Sequence, residues 1–354
     1  MPARETYDPG ALSGFLAALF RAQGLPEEMA AVVARGFLEA DLLGYPTHGV
    51  NRVPANLRWL RDGETDPTGE PEVRSDRVAL ANWDAHRLPG HWAMHRAVHR
   101  AIRGARLAGT FTLTMRRCQH VACVAATLVP VVESGLVALA MVSSPDEAFV
   151  SPFGSSERRF SNNPLAFTAP ATGGPILFDV SMAITAGGQV ARAARLGRPL
   201  PEPTLALPDG SVSSDPAALE RGAAILPMGG RGHGHKGFAL TLMTEVLTQA
   251  LAGYGRARSS GDSEQNSVFL MVLDPAAFTD RADYDREIDH LIARVEGSRP
   301  DDPARPVRLP GRRAWLQRAR QLEQGVSLDP GILAELVPFA EAAGVALPAQ
   351  TAVR

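Results

Sequence analysis

What most limits the folds open to this chain is a change of hydrophobic period at Thr110. Before it, apolar residues recur at helical spacing. After it, TFTLTMR, LVALAMV and NSVFLMVLDP read as strands of β-branched and apolar residues, with helical and turn-rich segments between them. Helical patterns return near the C-terminus in RAWLQRARQLEQG and PGILAELVPFAEAAG. A chain of 354 residues exceeds one comfortable core. The expectation is a central α/β lobe (residues 77–298) and a helical lobe assembled from both termini (residues 1–76 and 299–354).

In chain order, Pro9-Gly10 leads into a helix ending at Gly24. Pro26 opens a second, with Glu27 and Glu28 in the first turn where the helix dipole favours acids. Pro46 and Gly49 then interrupt the helical pattern, so His48 sits on a turn. Both His48 and Arg52 precede the helix VPANLRWLRDG, a position suited to anions, although a lone turn histidine is ordinarily a surface residue. Residues 64–76, polar and rich in turn formers, read as a connection between lobes. VALANW is a short strand, followed by a long helix that ends at Gly109. On that helix His91, His95 and His99 share one face. No carboxylate joins them and arginines stand close, so the stripe reads as a solvated basic face, not a metal site.

His120 lies where the TFTLTMR strand stops, and Ser143 and Ser144 where LVALAMV stops, the places where α/β sheets usually bind ligands. AATLVPVVESG between them is a helix. The stretch FVSPFGSSERRFSNNPLAFTAP is long enough to wrap a cofactor. Asp179 sits inside the apolar strand of GGPILFDVSMA. A buried carboxylate is costly unless paired, so Asp179 is either a ligand contact or half of a structural pair. Asp209-Gly210 signals a hairpin.

Lys236 is the only lysine among 36 basic residues. Where arginine otherwise serves throughout, a position that keeps lysine calls for a compact point charge in place of a wide fork. It lies in GGRGHGHKGFALTLMTEVLTQALAG, where Gly232, Gly234 and Gly237 satisfy G-x-G-x-x-G. The dinucleotide fingerprint also needs a strong preceding strand and an acid ending a second one. AAILPM is a poor strand and the acids near Asp262 lie in a polar loop, so the Rossmann reading fails. Phe238 to Ala252 is apolar nearly all round and reads as a buried helix with its N-terminus open to a ligand; Glu245 within it pairs with an arginine or caps backbone donors.

A formal net charge of -2 gives no support for binding nucleic acid or an anionic membrane. No apolar run reaches the ~18 residues of a membrane span, and MPARETYDPG lacks a signal core, so a cytoplasmic address is expected. Cys118 and Cys123 bracket His120 but lack the further ligand that zinc requires. They read as small buried thiols, and no metal is expected.

Taken in order, DLLGYPTHGVNRVP, the isolated Gln119-His120 before an Ala-rich helix, SPFGSSERRFSNNPLAFTAP, FDVSMA and GHKGFALTLMTEVLTQALAG resemble the malate/L-lactate dehydrogenase family of the L-sulfolactate dehydrogenase type. Ureidoglycolate dehydrogenase and Δ1-piperideine-2-carboxylate reductase belong to the same family. The resemblance implies a non-Rossmann α/β fold with a central mixed sheet, a homodimer, and NAD or NADP as cofactor. It implies an oxidoreductase that moves a hydride between nicotinamide and the α-carbon of a small 2-oxo acid, 2-hydroxy acid or cyclic imino acid. His48, His120 and Arg52 would form the catalytic group, Arg52 holding the substrate carboxylate. Ser144, Asn163, Pro164, Phe178, Asp179, Val180, His235, Lys236 and Gly237 would line the cofactor. The chain departs from the family pattern at Thr47, Ala122, Ser155 and Met182-Ala183, the last losing two hydroxyls near the expected nicotinamide. The alternative is a member without turnover that serves as a nucleotide-binding or interaction protein.

Overall fold

The computed structural model describes residues 5–259, 261 and 265–351; Asp262 lies outside the described residues. The chain begins with strand β1 (Glu5–Tyr7) and helices α1 (Pro9–Ala22) and α2 (Glu27–Leu42). Asp8 caps α1 by accepting from the Ala11 N–H at 2.8 Å. The apolar faces of the two helices meet, with Phe20 and Phe37 stacked at 5.9 Å. Helix α3 (Val53–Arg61) follows two 3₁₀ turns.

Residues 64–76 are not only a connection, because β2 (Glu72–Asp76) pairs antiparallel with β3 (Leu80–Asp84) at the edge of the main sheet. Helix α4 (Gly90–Ala108) ends at Gly109, whose φ of 80° closes the left-handed cap. Next come β4 (Thr110–Cys118), the short helices α5 (Val124–Thr127) and α6 (Val129–Glu133), and β5 (Val137–Ser143). Pro130 divides what reads as one helix into two. Then follow β6 (Leu165–Ala169), β7 (Ile176–Val180), α7 (Gly187–Arg195), the small strands β8 (Leu205–Ala206), β9 (Val212–Ser213) and β10 (Ala224–Ile225), and α8 (Gly230–Glu245). A π turn, Val246–Ala250, continues α8. The chain closes with β11 (Asn266–Leu273), α9 (Arg281–Glu296), α10 (Arg312–Gln324), β12 (Val326–Leu328) and α11 (Val337–Ala343).

The main sheet has seven strands in the order β2-β3-β4-β11-β5-β6-β7. The β3–β4 pair is parallel, and the other pairs among the described residues are antiparallel. This is a mixed sheet, as expected, and not the doubly wound parallel sheet of a Rossmann domain. Central β11 is buried along most of its length, which is why it reads as a continuous apolar run. One face, carrying Phe111, Leu113, Val268, Leu270 and Ala140, forms a core with Ala97, Val98 and Ala101 of α4. The opposite face carries Met141 and Ser143, on which Thr244 of α8 and Thr248 of its π turn rest. The hairpin at Asp209-Gly210 joins β8 to β9, with Gly210 at φ 84°. At the chain's two ends, β1 pairs with β12, and Leu16, Phe37 and Leu57 share a core with Leu328, Leu336 and Ala340.

Two expectations are overturned here. The histidine stripe is not a solvated basic face: His91 is 5% exposed and packs 4.3 Å from the Phe37 ring, because α4 lies against α2. Helix α8 is not buried by its apolar side chains. Its inward face, continued through the π turn, is Thr241, Thr244, Thr248 and Gln249, while Leu242, Met243, Val246 and Leu251 are exposed.

Candidate active site

The turn bearing His48 is pinned to the end of α2. The Val50 N–H donates to the Asp41 carboxylate at 2.7 Å, and Gly49 passes so close to that carboxylate that a Cβ would overlap it. His48 thereby faces His120, which stands just past β4. Their rings are nearly parallel, interplanar angle 18°, with centroids 6.2 Å apart. Trp59 of α3 meets His120 edge-on at 6.4 Å, and the Arg52 guanidinium lies 5.7 Å over the Trp59 ring. Thr47 Oγ1 is 2.9 Å from His48 Nδ1, so the hydroxyl at this position still orients the imidazole.

Burial, with Arg52 adding to it, lowers the His48 pKa to about 4. His120 is held well below the ordinary range by burial first, then by Arg52, His48 and His91. Its Nδ1 has no hydrogen-bond partner among the described residues. The site is therefore two neutral imidazoles beside one permanent cation. That combination can take an anion and exchange a proton with it.

His120 is fixed from behind. Gly90 of α4 packs so tightly on the Gln119 and His120 carbonyls that a Cβ would overlap them. Gln119 donates its N–H to the Leu88 carbonyl at 2.9 Å and reaches Thr65 through Nε2 at 3.2 Å. After His120 the loop turns through Ala122 at φ 61°. Asn266 then joins this loop to the end of β5: its Oδ1 accepts from the Val121 N–H and its Nδ2 donates to Ser144 Oγ, both at 2.8 Å. Sequence reasoning missed Asn266 and Trp59. A polar residue opening an otherwise apolar strand was the available signal for Asn266.

Asp179 reaches the same neighbourhood from β7. It accepts from the Ala125 N–H at 3.1 Å and from the Cys123 thiol at 3.9 Å, so backbone and thiol, not a cation, are its partners. Burial raises its pKa to about 6 against the pull of those hydrogen bonds. Cys118 and Cys123 are both free and buried, as expected. Phe178 stacks on Phe167 at 5.5 Å, and Val180 is 40% exposed at the strand end.

The remaining residues gather beside β7. Met182 follows it and uses both backbone groups, its N–H to Asn162 and its carbonyl to Met228, at 2.9 and 2.7 Å. Met228 in turn covers Gly237, where a Cβ would overlap its carbonyl. Asn163, at φ 46°, donates to Glu245 at 2.9 Å, and Arg256 holds Glu245 through two contacts of 3.0 Å, the expected arginine partner. Pro164 accepts from the Val142 N–H at 3.1 Å. His235 and Lys236 are exposed in the early turns of α8, His235 meeting Phe153 at 5.6 Å. The structure thus places Gly237, Asn163 and the end of β7 together, and His48, Arg52 and His120 together. Among the described residues, the Lys236 ammonium makes no hydrogen bond or ion pair to either group.

Comparison with known proteins identifies the family. A profile of the malate/L-lactate dehydrogenase family matches residues 7–337. A Delta(1)-pyrroline-2-carboxylate/Delta(1)-piperideine-2-carboxylate reductase of Pseudomonas syringae pv. tomato is 33% identical over 93% of this chain and 94% of its own. The L-sulfolactate dehydrogenase of Methanothermobacter thermautotrophicus is 26% identical over 91% of this chain and 92% of its own. Among solved structures, the delta1-piperideine-2-carboxylate reductase of Pseudomonas syringae pvar. tomato superimposes with a TM-score of 0.84 at 32% identity, covering 95% of this chain and all of that one. The chain belongs to the malate/L-lactate dehydrogenase family, a family of dehydrogenases and reductases.

Proposed function

We propose that this protein is an NAD(P)-dependent oxidoreductase that transfers a hydride between nicotinamide and the α-carbon of a small monocarboxylate, with a cyclic imino acid as the substrate class favoured over dicarboxylates. The observation that carries this reading is the stacked His48–His120 pair beside Arg52. Among the described residues, Arg52 is the cation whose field lowers both histidines, which suits a substrate with a single carboxylate, and Trp59 offers an apolar wall to the rest of it.

The proton follows from electrostatics. In the free protein burial, and then Arg52, keep His48 neutral. A substrate carboxylate paired to Arg52 offsets that repulsion and shifts the His48 pKa upward, while burial, the larger cause, remains. His120, stacked beside it, cannot charge at the same time without like-charge repulsion. One imidazole therefore donates to the substrate nitrogen or oxygen while the other stays neutral.

For the cofactor, the exposed end of β7 at Val180 and the exposed Lys236 and His235 supply donors and positive charge that suit a dinucleotide, with the buried Asn163 holding the turn behind them. Phe178, Asp179, Ser144, Pro164 and Gly237 complete the proposed wall. When bound, the nicotinamide supplies or accepts the hydride. The exposed Leu242, Met243, Val246 and Leu251 support a homodimer. Free buried thiols support a reducing, cytoplasmic setting, and no described helix is long and apolar enough to cross a membrane. We assign the helical lobe to residues 5–71 and 299–351, and the cofactor lobe to 72–298, because β2 (Glu72–Asp76) belongs to the main sheet.

The test is oxidation of NADH and NADPH with Δ1-pyrroline-2-carboxylate, Δ1-piperideine-2-carboxylate, oxaloacetate and sulfopyruvate. The cyclic imino acids should be reduced fastest. His48→Ala and His120→Ala should each lower kcat by roughly 10²–10⁴-fold, and Arg52→Lys should act mainly on KM. Full activity in both histidine variants overturns the acid/base assignment. Tight NAD(P)H binding with no consumption of any substrate would instead indicate a nucleotide-binding member without turnover.

A further inference from the structure

Helices α2, α4, α6 and α10 line a second cavity of about 220 Å³, apart from the His48–His120 pair. Its apolar walls include Val32, Val98 and Val129. Arg318 bridges two carboxylates there, Glu39 through Nε and Glu133 through Nη2 at 3.0 Å. One guanidinium against two carboxylates leaves an excess negative charge, and burial together with Glu133 raises the Glu39 pKa accordingly, Arg318 opposing. Arg35 also lines the cavity, about one helical turn before Glu39. It has no carboxylate within ion-pair distance among the described residues. His91 lines the same cavity; it is 5% exposed, and its Nε2 has no hydrogen-bond partner among the described residues. A buried polar atom without a partner is costly, and here it belongs to a ring that lines a space large enough for a small ligand.

One uncompensated positive charge, one uncompensated negative charge and apolar walls suit a net-neutral molecule that carries both signs. A nucleotide would find too little room, and a dicarboxylate too much negative charge. We propose that this cavity is a second binding site, for a zwitterionic free amino acid with a small apolar side chain, its carboxylate on Arg35 and its ammonium toward Glu39 and Glu133. His91 stands between this cavity and the elements that hold the catalytic group. A Cβ at Gly36 would overlap the His91 ring, so α2 reads any movement of it, and Gly90, its neighbour, rests on the His120 carbonyl.

The test is calorimetric titration of the full-length protein, without cofactor or substrate, with L-valine and L-proline, and with isovalerate and L-valine methyl ester as controls. Because no turnover is involved, the result stands apart from the proposed reaction. The amino acids should bind with one site per chain and both controls should fail, since each lacks one of the two charges. Affinity should fall about tenfold or more in Arg35→Glu and in Glu133→Gln, and be unchanged in Arg52→Ala. Because Arg35 and Glu133 are not buried, these variants should fold. The proposal is overturned if neither amino acid binds, if either control binds equally well, if both cavity variants retain full affinity, or if Arg52→Ala abolishes binding, which would place the ligand in the substrate site.

Discussion

Replacing Asp179 by asparagine should make the protein more stable and less able to hold its cofactor. The carboxylate titrates at about 6 in the folded chain against 3.8 as its ordinary value. Keeping it ionised in the fold therefore costs up to about 3 kcal/mol at neutral pH. The sign follows from proton binding. Between 3.8 and 6 the folded state holds more protons than the unfolded one, so stability falls as pH rises through that window, and the penalty is constant above it. In Asp179→Asn the side-chain amide would still accept from the Ala125 N–H but would not have to keep a charge out of water. After the amide's own desolvation, the expected gain is about 1–2 kcal/mol, or a rise of a few degrees in Tm. Thermal unfolding of both proteins without cofactor, near pH 8 and near pH 4, measures it. The gain should be present at the higher pH and nearly absent at the lower, where wild type is itself protonated. A variant less stable at pH 8, or a gain equal at both, would mean that the hydrogen bonds from Ala125 and Cys123 outweigh burial. NAD(P)H affinity, measured by quenching of protein fluorescence, should drop in the same variant.

Three further outcomes are expected. Ala122 sits at φ 61°, where a Cβ costs roughly 1–2 kcal/mol; Ala122→Gly should recover about 0.5–1 kcal/mol in a urea melt after glycine's greater unfolded entropy is counted. Lys236→Arg keeps the charge but not its compact shape, and should weaken NAD(P)H binding by titration; unchanged affinity would refute the point-charge reading of the lone lysine. Met243→Glu combined with Val246→Glu places charge on the exposed apolar face of α8 and its π turn and should give a monomer by sedimentation, with the fold intact by circular dichroism.

Much of the site was legible because turns and strand ends are local features. Pro46 and Gly49 place His48 outside a helix whatever packs around it. The change of period at Thr110 places His120 and Ser144 at strand ends for the same reason. Strand β2 was not legible. As an edge strand with four of its five residues exposed, it has no apolar face to show, and only its backbone ladder to β3 makes it a strand. Asn266 and Trp59 were missed because their roles depend on partners more than 50 residues away in sequence, Val121 and Ser144 for one and His120 for the other.

By itself the sequence determined the main helices and central strands and their order, the mixed α/β class through five ordered motifs, and the failure of the Rossmann fingerprint. Tertiary structure alone decided which face each helix hides. In α8 and its π turn the apolar residues look outward and the threonines inward, because Thr244 and Thr248 meet Met141 and Ser143 of β5 and bond their own helix carbonyls. In α4 a stripe of histidines and arginines is driven partly inside, because Gly36 on α2 leaves room for the His91 ring. Periodicity reports how polar each face of an element is. What a face touches depends on contacts distant in sequence, and those bring His48 to His120 and leave a charged cavity beside His91.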